Sequence, residues 1–375
     1  MLHNFLEINT SQSAIIEFLI PGKLFIAGEY AILQPQQSAI LVAINQYLSC
    51  KISGKSTFPC QIDSDITNTQ LFITVESSNQ FKFNDYSPIW SYVRHAVDVA
   101  FQVIEALEQP VKPFQIALES QLNSNEGKKY GLGSSGSVTI AVIIAILKFH
   151  GITIKHHETL FKLAVLASLK QGSLGSMADL ATISHGGWVY YHRYDNKTIQ
   201  NWLKNNISME EWVCRPWPEL VIESMTIPKN LQLLIGWTGQ PASTDSFIQL
   251  LQEKLTTDHH TYDEFCMKMR HLIPQLKEAL QANQWDDIQN YMQQNHNHLK
   301  WLSTHYHLPI LTPQLEQLSV DAKTCQAVGK LSGAGGGDCG IALVDHSSKI
   351  SNIHALWHSH QIKPLNFNVA EKIIL

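Results

Sequence analysis

Residues 130–138 read YGLGSSGSV. Gly131, Gly133 and Gly136 let backbone amides approach a ligand with no Cβ in the way, and Ser134, Ser135 and Ser137 add hydroxyls. An apolar stretch of helical length follows at once. A glycine-rich loop running into a helix N-terminus presents free N–H groups and the positive end of the helix dipole together, which suits a diphosphate or triphosphate. A loop with no more than an N-cap serine is the plainer reading, and the density of glycine and serine argues against it. The spacing of Gly131, Gly133 and Gly136 also matches a dinucleotide fingerprint. That motif follows the first strand of a βαβ unit and has an acidic residue about 20 residues on. Here Gly151 to Lys155 stand there, and the first acidic residue, Glu158, falls inside a helical pattern. The G-K-[ST] ending of a P-loop is absent, so the loop reads as a phosphate cradle of another kind.

Two further segments could serve the same site. KLSGAGGGDCGIAL, Lys330 to Leu343, holds five glycines between Gly333 and Gly340. Glycine costs conformational entropy on folding, so this run serves either tight turns before a strand or close approach to a ligand. PGKLFIAGEYAIL, Pro21 to Leu33, puts Lys23 near the start of a short apolar strand. Such a lysine is either an exposed edge residue or an ammonium fixed toward a phosphate.

The elements that must carry these segments follow from periodicity. Ala14 to Ile20, continued by Leu24 to Ala27, reads as a strand, as do Ile40 to Ile52, Phe114 to Leu122 and Trp188 to Arg193. Pro88 to Leu107 reads as a helix capped by Ser87. Ser137 to Phe149 is apolar nearly all round and should be a buried helix; Glu158 to Lys170 reads as another. In the second half Leu231 to Trp237 is a strand, and Thr244 to Leu255, Tyr262 to Leu280, Trp285 to Leu302 and Pro313 to Val328 have helical spacing. Strands are expected again at Cys339 to Val344 and Lys372 to Leu375. The pattern predicts an α+β protein of two mixed domains, 1–225 and 226–375.

Composition narrows the class. The chain has 375 residues, 44% apolar and only 16% charged, against about 25% charged in a typical globular protein. Nine Trp and fourteen Phe exclude a disordered chain. A net charge of −5 gives no global basic field for nucleic acid, so cations for an anionic ligand must be concentrated at one place. Met1 to Ser13 has no signal-peptide pattern, and Val138 to Leu147 is about half a membrane span. Six cysteines without a C-x-x-C pair read as reduced thiols, and a cytoplasmic protein with no membrane partner is expected. His296/His298 and His305/His307 resemble metal pairs, but i, i+2 spacing puts them on different helix faces, and solvated polar residues are expected instead.

Taken together, the three segments resemble the three motifs of the GHMP kinases, the group of galactose, homoserine, mevalonate and phosphomevalonate kinases. Their order along the chain fits as well. Within that group, EGKKYGLGSSGSV (Glu126 to Val138), GSMADLA (Gly175 to Ala181), GWTGQPASTDSF (Gly236 to Phe247) and SGAGGGDCGIAL (Ser332 to Leu343) are similar to the phosphomevalonate kinases. The resemblance runs from about Pro21 to Leu343. It implies a ribosomal S5 domain 2-like N-terminal domain, a ferredoxin-like C-terminal domain, and ATP, Mg²⁺ and phosphomevalonate as ligands.

The resemblance also implies roles. Asp179 takes the family's catalytic carboxylate position and Lys23 its partner. Gly131, Leu132, Gly133, Ser134, Ser135, Gly136 and Ser137 hold the nucleotide. Ser135 and Ser176 contact Mg²⁺, and Lys128, Lys129, Ser243, Thr244, Gly335 and Gly336 hold the acceptor. Lys170 lies beside a matched motif; Arg94 and Arg193 are secondary cations for which solvated surface roles are the plainer expectation. Such a site gathers roughly six or seven negative charges. Three positions depart from the family pattern: Leu174 and Ala178 replace the family's usual Asn and Gly, and Gln171 replaces a frequent Arg. A mevalonate kinase, a catalytically silent sensor of the same fold and a nicotinamide dehydrogenase are the alternatives. The retained lysine, aspartate and glycine loop disfavour the sensor, and the missing βαβ context disfavours the dehydrogenase.

Overall fold

The computed structural model describes residues 2–9, 15–77, 80–123, 128–240, 242, 244–346 and 350–375. In chain order its elements are β1 (Leu6–Ile8), β2 (Ile15–Ala27), β3 (Ser38–Gly54), β4 (Cys60–Ser64), β5 (Leu71–Ser77), β6 (Gln80–Phe83), α1 (Ser91–Ala106), β7 (Phe114–Ser120), α2 (Ser134–Phe149), β8 (Ile152–Ile154), α3 (His157–Lys170), α4 (Ala178–His185), β9 (Trp188–His192), α5 (Asn196–Lys204), α6 (Met209–Cys214) and β10 (Val221–Met225). There follow β11 (Gln232–Trp237), α7 (Thr244–Leu255), α8 (His260–Ala282), α9 (Trp285–His305), α10 (Pro313–Thr324), β12 (Val328–Leu331), β13 (Cys339–Val344), α11 (Ile350–Ser359) and β14 (Lys363–Leu365).

Strands β2 to β7 with β9 and β10 form one sheet, ordered β10-β9-β3-β7-β4-β5-β6, with β2 paired along β3. The second sheet is antiparallel and ordered β12-β13-β11-β14. Its strands and helices follow a βαββαβ order, the ferredoxin-like arrangement. Helix α2 is buried from Gly136 to Leu147 on every face, as an all-apolar helix must be, and it packs on β2 and β3.

Strand β2 passes through Pro21-Gly22 without a break, shifting register against β3 there and again between Phe25 and Ala27. At Gly22 a Cβ would stand 3.0 Å from the Leu132 carbonyl oxygen, which accepts a hydrogen bond from the Lys23 N–H at 2.8 Å. The irregularity thus docks the strand carrying Lys23 onto the glycine loop. The turn after β2 is held from the other side. Lys330 and Glu29 form an ion pair buried to 0% and 2% exposure, and the Tyr262 hydroxyl donates to the Tyr30 carbonyl at 2.8 Å.

Several sequence expectations change. Pro88 to Trp90 form a 3-10 turn, the α-helix starts at Ser91, and the Ser87 side chain makes no cap hydrogen bond. Helix α10 stops at Thr324, and Val328 opens a strand instead of closing a helix. Lys372 to Leu375 is not a strand. The segment before it returns to the first sheet, where the Asn45 N–H donates to Asn368 and the Ala370 N–H to Ala43, both at 2.9 Å. His296 is buried rather than solvated. His305 pairs with Asp258 at 2.7 Å. No group of three metal-ligating side chains occurs among the described residues.

One buried histidine has a direct consequence for stability. His150, at the end of α2, faces the Ile146 carbonyl through Nδ1 at 2.7 Å and accepts the Lys112 N–H at Nε2. Both ring nitrogens are thereby committed to the neutral form. Burial lowers its pKa to about 4, and burial does the same for His296. A folded-state pKa below the unfolded value of about 6.5 means stability that is full above pH 6.5 and lost as pH falls toward 4, by up to about 1.4 kcal/mol per pH unit for each histidine. Urea midpoints should therefore drop from pH 7 to pH 5, and less so in His150→Gln. Equal midpoints in the native chain would refute this.

Candidate active site

The glycine loop does not stand apart from the rest of the protein. Its glycines make room for three charged side chains from three other segments. Gly131 (φ +82°) leaves no space for a Cβ beside the Asp338 carboxylate. A Cβ on Gly133 (φ +80°) would lie 2.9 Å from Cε of Lys23, and one on Gly136, inside α2, 3.0 Å from Oδ2 of Asp179. The loop, β2, α4 and the end of the second glycine run therefore meet at one point. Lys23 Nζ reaches the Gly131 carbonyl at 3.4 Å.

Each group reports this crowding. Burial lowers the Lys23 pKa, opposed first by the charge of Asp179 and then by Asp338, Cys339 and Glu29. Burial raises that of Asp179, opposed by Lys23 and by backbone N–H groups in the first turn of α4, and Asp245 across the cleft raises it further. Asp338 is raised to about 6 by burial, against the pull of the Ala242 N–H, Lys23 and Lys129. Lys23 and Asp179 sense each other's charge, yet no ion pair joins them among the described residues. The ammonium and the carboxylate are thus both held at the glycine loop without being spent on each other.

Local chain geometry explains how Asp179 gets there. Met177 takes the left-handed conformation (φ +65°) and α4 starts directly after it, with Asp179 in its first turn. Ser176 is half-buried; its Oγ accepts the Ala178 N–H at 3.3 Å and its carbonyl accepts the Tyr191 hydroxyl at 3.0 Å. Ala178 is helical, so the family glycine is not needed there for a positive φ. Leu174 is exposed next to this turn.

Other expected residues are placed less simply. Ser134 and Ser135 are half-buried at the start of α2. Ser137 is fully buried and donates to the Pro21 carbonyl at 2.9 Å, so its hydroxyl fastens the loop to β2 instead of facing a nucleotide. The Leu132 side chain is buried. A Cβ on Gly335 would meet the Ile310 carbonyl and one on Gly336 the Phe247 ring, whereas one on Gly333 would meet nothing within 4 Å. Lys128 and Lys129 are exposed, and Lys129 is near enough to act on Asp338. Thr244 opens α7 and is exposed; Ser243 lies outside the described residues. Three cations are engaged elsewhere. Lys170 pairs with Asp98 at 2.6 Å, Arg94 donates to the Ser87 carbonyl at 2.8 Å, and Arg193 is buried against the Ile32 and Leu33 carbonyls, not solvated.

Residues 91–187 match the GHMP kinases N terminal domain, and residues 276–361 match the GHMP kinases C terminal family. The chain is similar to a phosphomevalonate kinase of Streptomyces sp. (strain CL190), 30% identical over 96% of this chain and 98% of that one. This chain belongs to the GHMP kinases. The kinase also resembles a mevalonate kinase of Pyrococcus horikoshii, 22% identical over 86% of this chain and 87% of that one. Among solved structures it superposes on Streptococcus pneumoniae phosphomevalonate kinase in complex with phosphomevalonate and AMPPNP, with a TM-score of 0.84, 29% identity, and coverage of 94% of this chain and 99% of that one. In this GHMP kinase Asp338 and Asp245 join the site without having been expected from the sequence. Asp338 interrupts a run of small residues inside a motif already singled out, and that interruption was the available signal.

Proposed function

We propose that this GHMP kinase transfers the γ-phosphoryl group of ATP to the phosphate of (R)-5-phosphomevalonate, giving 5-diphosphomevalonate and ADP on the mevalonate route to isoprenoids. One observation carries the reading: 30% identity over 96% of the chain with a phosphomevalonate kinase, against 22% over 86% with a mevalonate kinase. The cations around the glycine loop support it.

The acceptor is a phosphate oxygen with a second pKa near 6, mostly ionised at neutral pH, so no strong base is required. Catalysis then rests on in-line placement and on neutralising the charge of the transferred group. Lys23, fixed by its backbone bond to Leu132, is assigned to the bridging position between donor and acceptor phosphates. Asp179 is assigned to orienting Lys23 and to the metal. The backbone from Gly131 to Gly136, with Ser134 and Ser135, is assigned to the nucleotide; Lys128, Lys129, Ser243 and Thr244 to the acceptor. Mg²⁺ fits this donor set, since Asp179 and the half-buried Ser135 and Ser176 supply the hard oxygens it prefers, with water and phosphate completing its shell. When bound it would offset charge on the nucleotide phosphates. We place the division between the two domains after Met225, where β10 closes the first sheet before β11 enters the second. Six free cysteines and ATP as substrate fit a cytoplasmic enzyme. No helix is long and apolar enough to cross a membrane among the described residues.

Coupled ADP release with each acceptor tests the reading. A site built for a phosphate rejects the analogue lacking it, here by on the order of 10⁴-fold in kcat/KM for mevalonate. Preference for mevalonate would overturn it in favour of a mevalonate kinase.

A further inference from the structure

Asp338 places a carboxyl group where a negative charge is least wanted. It is 7% exposed and lies between the three segments that form the cleft. Its Oδ1 accepts the Ala242 N–H at 2.9 Å, tying it to the segment that enters α7. Its Oδ2 lies against Gly131 and accepts no hydrogen bond among the described residues. Its backbone carbonyl accepts both the N–H and the hydroxyl of Thr238, at 3.0 and 3.2 Å, which fixes the main chain that carries the carboxyl to the end of β11. A negative charge here would oppose the incoming phosphates. A structural carboxylate would need only its bond to Ala242, which an asparagine could also accept.

We propose that Asp338 binds the acceptor in its neutral form: Oδ2 takes a proton from solvent as phosphomevalonate enters and donates a hydrogen bond to the acceptor phosphate, while Oδ1 keeps the Ala242 N–H. The proposal rests on the function given above. The charged groups acting on Asp338 are Lys23 from β2 and Lys129 from the lead into the loop; the neighbouring Cys339 thiol, which burial holds protonated, is neutral. Asp179 and Glu29 act with Asp338 on the Lys23 ammonium. Burial already raises the free carboxyl to about 6, and an arriving dianion raises it further, past neutrality, in the complex. A carboxylic acid kept neutral to donate to an oxyanion is established chemistry in apolar sites.

The pH dependence has a definite sign. The free enzyme's carboxyl is mostly protonated below pH 6 and must be reprotonated to bind above it. The acceptor KM of the native enzyme should therefore rise as pH increases from 6.5 to 8.5, by tenfold or so per unit at most. The substrate's own phosphate titrates in the same range, but equally for every variant, so the ratio of KM values isolates the carboxyl.

The test uses the native chain, Asp338→Asn and Lys129→Met, with phosphomevalonate as the titrant. Calorimetry at pH 7 in buffers of differing ionisation enthalpy should show the native chain taking up about 0.9 proton more per site than Asp338→Asn, the shortfall from protonation of a group with a free pKa of about 6. The native-to-Asn KM ratio should climb with pH. Lys129→Met removes a cation that lowers the Asp338 pKa, so the rise in KM should move to higher pH. Because Lys129 is itself assigned to the acceptor, this variant raises KM at every pH, and the reading is the pH at which its own KM begins to climb; that midpoint keeps the question answerable if Asp338→Asn does not fold. Equal proton uptake together with a pH-independent KM ratio, or no shift in Lys129→Met, overturns the proposal. Absence of any phosphomevalonate binding by the native chain overturns the parent function instead.

Discussion

Asp179→Asn lowers kcat by more than about tenfold, at least ~1.4 kcal/mol of barrier, with a smaller change in the KM for either substrate. The substitution keeps volume and removes only charge, so α4 and its first turn should remain intact. Asp179 is the leading influence opposing the burial-driven fall of the Lys23 pKa. Without it the Lys23 ammonium loses its proton more readily. The alkaline limb of the rate profile should consequently move to lower pH, and the deficit should shrink under mildly acidic conditions. Steady-state rates from pH 6 to 9 check both parts. Native turnover, or an unmoved alkaline limb, would remove Asp179 from its assigned role.

Gly133→Val should cost more than about a hundredfold in kcat/KM for ATP, ~2.7 kcal/mol or more. The position has φ +80°, a region in which a β-branched residue is strained by about 1–3 kcal/mol. Its Cβ would meet Cε of Lys23 at 2.9 Å, so the loop and the lysine cannot both stay where they are. Gly136→Ala separates two kinds of damage. It sits in a helix without a positive φ, and its Cβ would press on Asp179 Oδ2 at 3.0 Å. That variant should lower kcat with little effect on nucleotide binding, whereas Gly133→Val should lose binding of an ATP analogue in calorimetry. Equal nucleotide affinity in the native chain and Gly133→Val would contradict the phosphate-cradle assignment.

These variants mark what could be read from residues alone. The long apolar run of α2 and the β-rich stretches of β2 and β3 declare themselves, because burial on all faces or against a long partner leaves a strong pattern. The three motifs were legible, and so was their convergence. The reason for the glycines was only half legible: a sequence shows that backbone must come close to something, not that the neighbours are Lys23, Asp179 and Asp338. Helix α4 escaped because it is eight residues long and begins after Met177 (φ +65°), a left-handed position that no glycine advertises. Strands β4 to β6 escaped because they are short, at five, seven and four residues, so their alternation is too brief to stand out. Strand β12 was absorbed into the helical spacing before it, since Gln326 (φ +58°) makes the turn without a glycine or proline. Gly335 and Gly336 leave room for Ile310 and Phe247, a crowding that density of glycine does not place on one side or the other.

The most direct measurement of the central claim is ³¹P NMR of the acceptor product after it has been separated from nucleotide. With phosphomevalonate and ATP, the account predicts that the single phosphomonoester resonance is replaced by two mutually coupled doublets of a diphosphate, in step with ADP formation. A phosphomonoester signal that persists while mevalonate acquires one would contradict it.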